Sequence, residues 1–141
     1  MLIGISPLIT PDMLWSIAAM GHGDVLAVVD RNYPSYGLHT RIHNSPGVDT
    51  TTMITELLRL FPLDEYVANP VRAMVPDDDF NATIESHTAL AAPLLDLAGR
   101  KRAPVPVPRT KFYTEAKPAF AVIMTGDDRP FSCFLLTKGV V

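Results

Sequence analysis

Along this chain the spacing of apolar residues switches repeatedly between a helical and an extended period, and each switch marks an element. Thr10-Pro11-Asp12 is a helix start. Threonine can cap, proline suits the first helical position, and aspartate favours the positive end of the dipole. Leu14, Ile17 and Ala18 follow at helical spacing, and Gly21 is a natural stop. Val25-Leu26-Ala27-Val28-Val29 is apolar at every position, the pattern of a strand covered on both faces as in a parallel sheet. Asp30 stands at its carboxyl end, and Arg31 to Gly37, with Asn, Pro, Ser and Gly, reads as a loop.

The second half continues the alternation. Asp49 caps a second predicted helix through Phe61, with Met53, Ile54, Leu57, Leu58 and Phe61 on one face and Pro62 ending it. Val71 to Val75 is a predicted strand. A third helix is expected from a cap at Asp79 toward Gly99, kinked or broken at Pro93. Pro104, Pro106 and Pro108 alternate with Val105 and Val107, so that segment can be extended only at a sheet edge or outside a ladder. Phe112 to Lys117 spans one or two helical turns. Phe120–Met124 and Phe134–Leu136 are two more apolar strands, with a turn around Gly126-Asp127-Asp128. Strands alternating with helices predict a layered α/β fold in one domain covering residues 1–141.

Composition narrows the class. In 141 residues the hydrophobic share is 48% and the charged share 19%, the opposite of the balance that disorder requires. The 12 Lys and Arg against 15 Asp and Glu give −3, which excludes the basic footprint of a nucleic-acid binder. The one clustered basic run, Arg100-Lys101-Arg102, reads as a solvated helix end. A lone cysteine, Cys133, excludes a disulfide framework within the chain and a zinc site of several thiolates. The first basic side chain is Arg31, so a signal-peptide start is absent, and no apolar run reaches the length of a membrane span. The expectation is a cytoplasmic protein.

Two places could carry chemistry. Gly21-His22-Gly23-Asp24 puts a histidine on backbone that turns sharply and lets a ligand approach, and histidine titrates near neutrality. Asp30 lies where open α/β sheets bind ligands. The alternatives are a plain loop histidine and a turn aspartate. His39 and His43 are four apart, but Gly37, Asn44, Ser45 and Pro46 crowd the helix that a metal pair would need, so no metal site is expected. His87 falls in a helical stretch and reads as exposed or packed. Phosphate loop, dinucleotide fingerprint and Gly-x-Ser-x-Gly elbow are all missing.

An ordered set of segments then resembles one family. Ile5-Ser6-Pro7-Leu8-Ile9-Thr10-Pro11, Met20-Gly21-His22-Gly23-Asp24, Asp30 with Tyr33-Pro34, and Pro62-Leu63-Asp64-Glu65-Tyr66-Val67 look like L-fucose mutarotases. So do Arg109, Phe112-Tyr113, Glu115-Ala116-Lys117, Ala119-Phe120-Ala121-Val122, Thr125-Gly126 and the closing Leu135-Leu136-Thr137-Lys138-Gly139-Val140. The sister D-ribose pyranases share the Gly-His start and the ending. The resemblance implies a compact three-layer α/β fold, decameric rings, sugar sites between neighbouring subunits and no cofactor. It implies anomer exchange of free monosaccharides, and pyranose–furanose exchange. It puts the acid/base histidine at His22 and substrate contacts at Asp30, Arg109 and the segment Phe131-Ser132-Cys133, with Tyr113 or Phe131 covering an apolar sugar face. A non-catalytic sugar-binding or sensing ring, and a structural ring without ligand, are the alternative readings.

The last segment departs from the family, where it reads Tyr-x-Asn. Phe131 lacks the hydroxyl, and Cys133 lacks an amide that both donates and accepts. Each lost neutral hydrogen bond weakens sugar binding by roughly 0.5–1.5 kcal/mol. The expected outcome is weak or absent activity on L-fucose, with another monosaccharide preferred. Phe131→Tyr with Cys133→Asn should shift preference toward L-fucose, measured as anomer exchange by NMR. Strong wild-type exchange of L-fucose, unchanged by the double substitution, would show that this segment does not set specificity.

Overall fold

The computed structural model describes residues 1–99 and 103–141, and the basic run Arg100-Lys101-Arg102 lies outside them. Elements follow in the order α1 (Pro11–Ala19), β1 (Val25–Val29), α2 (Ser35–Leu38), β2 (Ile42–Ser45), α3 (Thr50–Leu58), β3 (Val71–Val75), α4 (Glu85–Ala89), α5 (Ala91–Ala98), β4 (Val105–Pro108), α6 (Arg109–Ala116), β5 (Ala121–Thr125) and β6 (Phe134–Thr137). The strands form one sheet in the order β2-β5-β1-β6-β3-β4. β1 and β2 both run parallel to β5, and β3 runs parallel to β4. β6 is antiparallel to both of its neighbours, β1 and β3. All strands therefore point one way except β6.

Strand alternation divides the core into two. Leu26, Val28, Ile123, Phe134, Leu136, Val71 and Ala73 meet Met13, Ile17, Met53, Ile54, Leu57, Leu90 and Leu94 of α1, α3 and the α4–α5 region. Ala27, Val29, Val122, Leu135, Met74 and Val107 face Tyr33, Phe112 and Ala116 on the other side. This is the three-layer sandwich expected of strands apolar at every position. β1 carries it furthest: Leu26 to Val29 are fully buried.

Local chemistry explains most boundaries. Thr10 caps α1 by accepting from the Met13 amide, and Asp49 caps α3 by accepting from the Thr52 amide. The α3 face is the predicted one, with Met53, Ile54, Leu57 and Leu58 buried, but the helix ends at Leu58 and Phe61 is buried beyond it. On α1 the inward face is Met13, Ser16 and Ile17, and Ala18, assigned to it from spacing, is exposed. The expected helix from Asp79 is two short ones instead. Asp79 accepts from the Asn81 amide in a turn, α4 begins at Glu85, and the helix breaks at Leu90. Pro93 sits in the first turn of α5, where its ring is tolerated but cannot continue the preceding helix. Gly99 closes α5 in the left-handed conformation.

Two elements had no predicted counterpart. β2, Ile42-His43-Asn44-Ser45, is a polar edge strand whose Ile42, His43, Asn44 and Ser45 pair with Val122 through Thr125. Tertiary pairing overrides its weak propensity. α2 occupies part of the stretch read as a loop. β4, the proline-valine segment, is the edge strand at the opposite end, as its missing donors require. It passes directly into α6 at Arg109.

Gly126, which follows β5, must be glycine for lack of space. Its amide donates to the Val48 carbonyl, and a Cβ there would overlap the Pro46 carbonyl oxygen. Gly126→Ala should therefore cost at least about 2 kcal/mol by forcing backbone apart. Chemical denaturation checks this; an unchanged midpoint would mean that the Pro46 segment yields freely.

Candidate functional site

The reversed strand β6 fixes which candidate residues meet. Asp30, Asp77, Arg109 and Asp127 follow the carboxyl ends of β1, β3, β4 and β5, and Phe131-Ser132-Cys133 precedes β6, so all gather at one edge of the sheet. His22 precedes β1 and lies at the opposite edge. The six residue steps from Asp24 to Asp30, which include the five-residue strand β1, span roughly 20 Å at about 3.3 Å per residue.

At the amino edge, His22 sits in the turn between α1 and β1. Gly23 has φ 85°, a conformation that favours glycine. The turn is tied at several points: Gly21 N–H donates to Asp24 Oδ2 at 2.7 Å, and Gly23 N–H donates to the Lys138 carbonyl at 2.8 Å. Lys138 Nζ donates to the carbonyls of Ile17 (2.6 Å) and Met20 (2.7 Å), closing the α1 carboxyl end with a cation. On this frame His22 Nε2 lies 3.2 Å from Asp64 Oδ2. The imidazole is 48% exposed and the carboxylate 2%. Asp64 is itself oriented, because its Oδ1 accepts from the Tyr66 amide at 2.8 Å. The Tyr66 ring stands edge-on to His22, at 5.8 Å. An apolar cleft of about 530 Å³, lined by Leu14, Ile17, Met20, His22, Lys138 and Val140, opens beside the pair.

A half-exposed imidazole hydrogen-bonded to a buried carboxylate can serve in proton transfer: the carboxylate fixes the ring, while the other nitrogen remains available. Asp64 is the functional candidate that local sequence reasoning leaves without a role. It is 42 residues from His22, and no spacing rule connects them.

At the carboxyl edge, Asp30 is 7% exposed. Its Oδ1 accepts from the amides of Asn32 (2.9 Å) and Tyr33 (3.0 Å), a tight turn that aims Oδ2 elsewhere. Oδ2 receives the Cys133 thiol at 3.4 Å. Burial and the Asp30 charge push the thiol's pKa well up, so it remains a proton donor. Ser132 Oγ donates to Ser86 Oγ at 2.8 Å, and both are fully buried. Phe131 is partly buried with φ 58°. Arg109 opens α6 exposed, 3.3 Å from Asp77 Oδ2 and with its guanidinium carbon 5.8 Å from the Tyr113 ring centre. Tyr113 packs on Tyr33 with ring centres 5.7 Å apart. The edge thus presents the buried Asp30 carboxylate, the exposed Arg109 guanidinium and partly exposed aromatic rings. That set suits a neutral polyhydroxylated ligand with an apolar face.

The remaining histidines have partners of their own. His39 Nε2 meets the Tyr33 hydroxyl at 2.9 Å, His43 Nε2 meets Ser16 Oγ at 2.8 Å, and His87 Nε2–H donates to the Phe131 carbonyl at 3.1 Å. Burial lowers the pKa of all three.

The RbsD / FucU transport protein family matches over residues 3–141. The L-fucose mutarotase of Actinobacillus pleuropneumoniae serotype 5b (strain L20) is 33% identical over 142 residues, covering 99% of this chain and 97% of its own. The crystal structure of the fucose mutarotase in complex with L-fucose from Streptococcus pneumoniae superposes with a TM-score of 0.92 at 28% identity, covering 99% of both chains. The structure of Bacillus subtilis RbsD complexed with D-ribose has a TM-score of 0.73 at 19% identity, covering 100% of this chain and 99% of that one, and shows a shared fold alone.

A second buried carboxylate of this edge, Asp127, ties the loop after β5 to the start of α3. Asp127 is 3% exposed. Burial alone would raise its pKa, but bonds from Arg129, the Thr50 hydroxyl and the Thr50 amide outweigh this and hold it far below the usual carboxylate range. A depressed native pKa means that the stabilisation is complete above the unfolded value of about 4 and is lost as pH falls toward the native one. Asp127→Asn should lower the melting temperature at pH 7. It should also reduce the further loss on acidification from pH 5 to pH 2, checked by thermal unfolding across that range. Parallel curves for the two proteins would show that this carboxylate contributes no acid sensitivity.

Proposed function

This chain belongs to the RbsD/FucU family, and on that premise we propose that it exchanges the anomers of a free, L-fucose-like monosaccharide by general acid/base ring opening and reclosure. The observation that carries the reading is the His22–Asp64 pair, a partly exposed imidazole held by a buried, oriented carboxylate. The mutarotase names of the relatives and the L-fucose complex of a structural neighbour support the sugar class.

The reaction moves protons only. A proton leaves the C1 hydroxyl, the C1–O5 bond breaks as C1=O1 forms, and O5 takes up a proton. Rotation about C1–C2 presents the other aldehyde face, and the steps reverse. With Nε2–H directed at Asp64, His22 has one nitrogen free to take the C1 hydroxyl proton and return it to O5, with Asp64 stabilising the imidazolium between the two transfers. Asp30 Oδ2 accepts sugar hydroxyl protons, Arg109 donates to sugar oxygens, Tyr113 and Phe131 cover an apolar ring face, and Ser132 and Cys133 contribute backbone.

One chain holds these groups at opposite edges, so the complete set requires a second copy. Placing the amino edge of one chain against the carboxyl edge of the next is a heterologous contact, which closes into a ring if the rotation allows. A decameric ring of single-domain subunits, working in the cytoplasm, fits this reading.

A second reading is a ring that binds sugar without turning it over. It is favoured by Ser132 and Cys133, whose polar groups are directed to Ser86 and Asp30. NMR exchange between anomer signals over a panel of free sugars separates the two, since binding without exchange leaves only the second. If the first holds, His22→Ala should remain an oligomer and lose at least about 100-fold in exchange. Mixed assembly tests the shared site: His22→Ala and Arg109→Ala subunits, inactive apart, should regain about one quarter of wild-type exchange when unfolded and reassembled together, because a quarter of random interfaces carry both intact residues. No recovery would place the working site within one chain.

A further inference from the structure

Phe131 is the one residue other than glycine with positive φ among the described residues. A side chain with a Cβ disfavours that conformation, so something must hold it. The restraint on its carbonyl is His87, whose Nε2–H donates to it at 3.1 Å. The imidazole stands edge-on against Phe134, with ring centres 5.3 Å apart, and this packing fixes its direction. Burial lowers its pKa, although the Phe131 and Met74 carbonyls beside it act in the opposite sense. The adjacent residue of α4, Ser86, accepts from the Ser132 hydroxyl. Beyond it the Met74 amide donates to the Cys133 carbonyl at 2.9 Å. All three consecutive residues are thus restrained, the first two by bonds to a helix of five residues that packs on α3 and α5, and Cys133 by the Met74 amide and its own thiol bond to Asp30.

We propose that His87 is a positioning residue that holds the Phe131 peptide in its left-handed conformation and so determines which monosaccharide the Phe131-Ser132-Cys133 segment accepts. The inference rests on the functional reading above. Without the His87 donor, the Phe131 peptide is free to rotate toward the ordinary regions of backbone space. The aromatic ring and the neighbouring backbone groups then move relative to Asp30. A sugar is held by several short contacts of fixed direction, so such a shift alters the ranking of sugars more than the proton transfer at His22, which lies at the other edge.

The test uses L-fucose, L-galactose and D-arabinose, which share the ring hydroxyl arrangement and differ in the C5 substituent. Dissociation constants come from NMR titration, and kcat and KM from anomer exchange, for the full chain as it assembles. His87→Leu keeps the side-chain volume and removes the donor. It should change the ratio of dissociation constants between the two best sugars by about threefold or more, with KM raised more than kcat is lowered. His87→Gln, whose amide can donate to the same carbonyl, should keep that ratio within about twofold of wild type. Ser86→Ala, which removes the next restraint, should move the ratio in the same direction as His87→Leu. An unchanged ratio in His87→Leu, or a His87→Gln variant that behaves like it, overturns the proposal. If His87→Leu does not fold, Ser86→Ala decides by the same criterion. A wild-type chain that neither binds nor exchanges any of these sugars overturns the functional reading and this inference together. Wild-type exchange with unmoved ratios overturns the inference alone.

Discussion

The antiparallel insertion of β6 between β1 and β3 is the constraint on which the rest of the structure depends. Val25 through Val28 pair with Thr137 back to Phe134, and Val71 through Ala73 pair with Leu136 back to Phe134. β6 is the one strand that runs backward, so its start and its end each reach an edge that the other strands reach with their opposite ends. Its start brings Cys133 to Asp30, and its end brings Lys138 to the His22 turn. One four-residue strand therefore positions both groups of candidate residues, and all four of its residues are buried. A register slip of one residue would exchange its two faces and misplace both ends at once.

The two edges are built on different physical terms. At the amino edge the turn is held by backbone bonds and the Lys138 ammonium, and the His22 imidazole is left half exposed. At the carboxyl edge the carboxylates of Asp30 and Asp127 are buried and held in direction by donors, Asp30 by the Asn32 and Tyr33 amides and Asp127 by the Thr50 amide and hydroxyl. The two groups of candidate residues, His22 with Asp64 and Asp30 with Arg109, therefore lie at opposite edges of one chain's sheet.

How much of this the sequence reveals depends on whether the information is local. Capped helices and wholly apolar strands are local, so α1, α3, β1, β3, β5 and β6 can be read directly, and the glycine-flanked His22 and strand-end Asp30 stand out as candidates. β2 is not local: His43 and Asn44 form a strand because β5 offers them a ladder. Asp79 looks like a helix cap because aspartate caps and turns share one chemistry, and only the downstream chain decides between them. The pairing of His22 with Asp64, and the link from His87 to Phe131, join residues more than 40 positions apart. Such contacts exist only after the sheet has formed.

The outermost strand at one end of the sheet, β4, carries a consequence for how copies of this chain can meet. Its prolines at 106 and 108 fall on alternate residues, so the missing N–H groups share one side, away from the valines that serve the ladder with β3. A foreign strand arriving at that border would find carbonyls to bond but almost no donors offered in return. Cross-β stacking, the usual hazard of an uncovered border, is blocked there by covalent structure, independent of charge or solvent. Strand-to-strand pairing between copies is therefore disfavoured on the β4 side, in contrast to the β2 border, whose strand Ile42–Ser45 carries no proline.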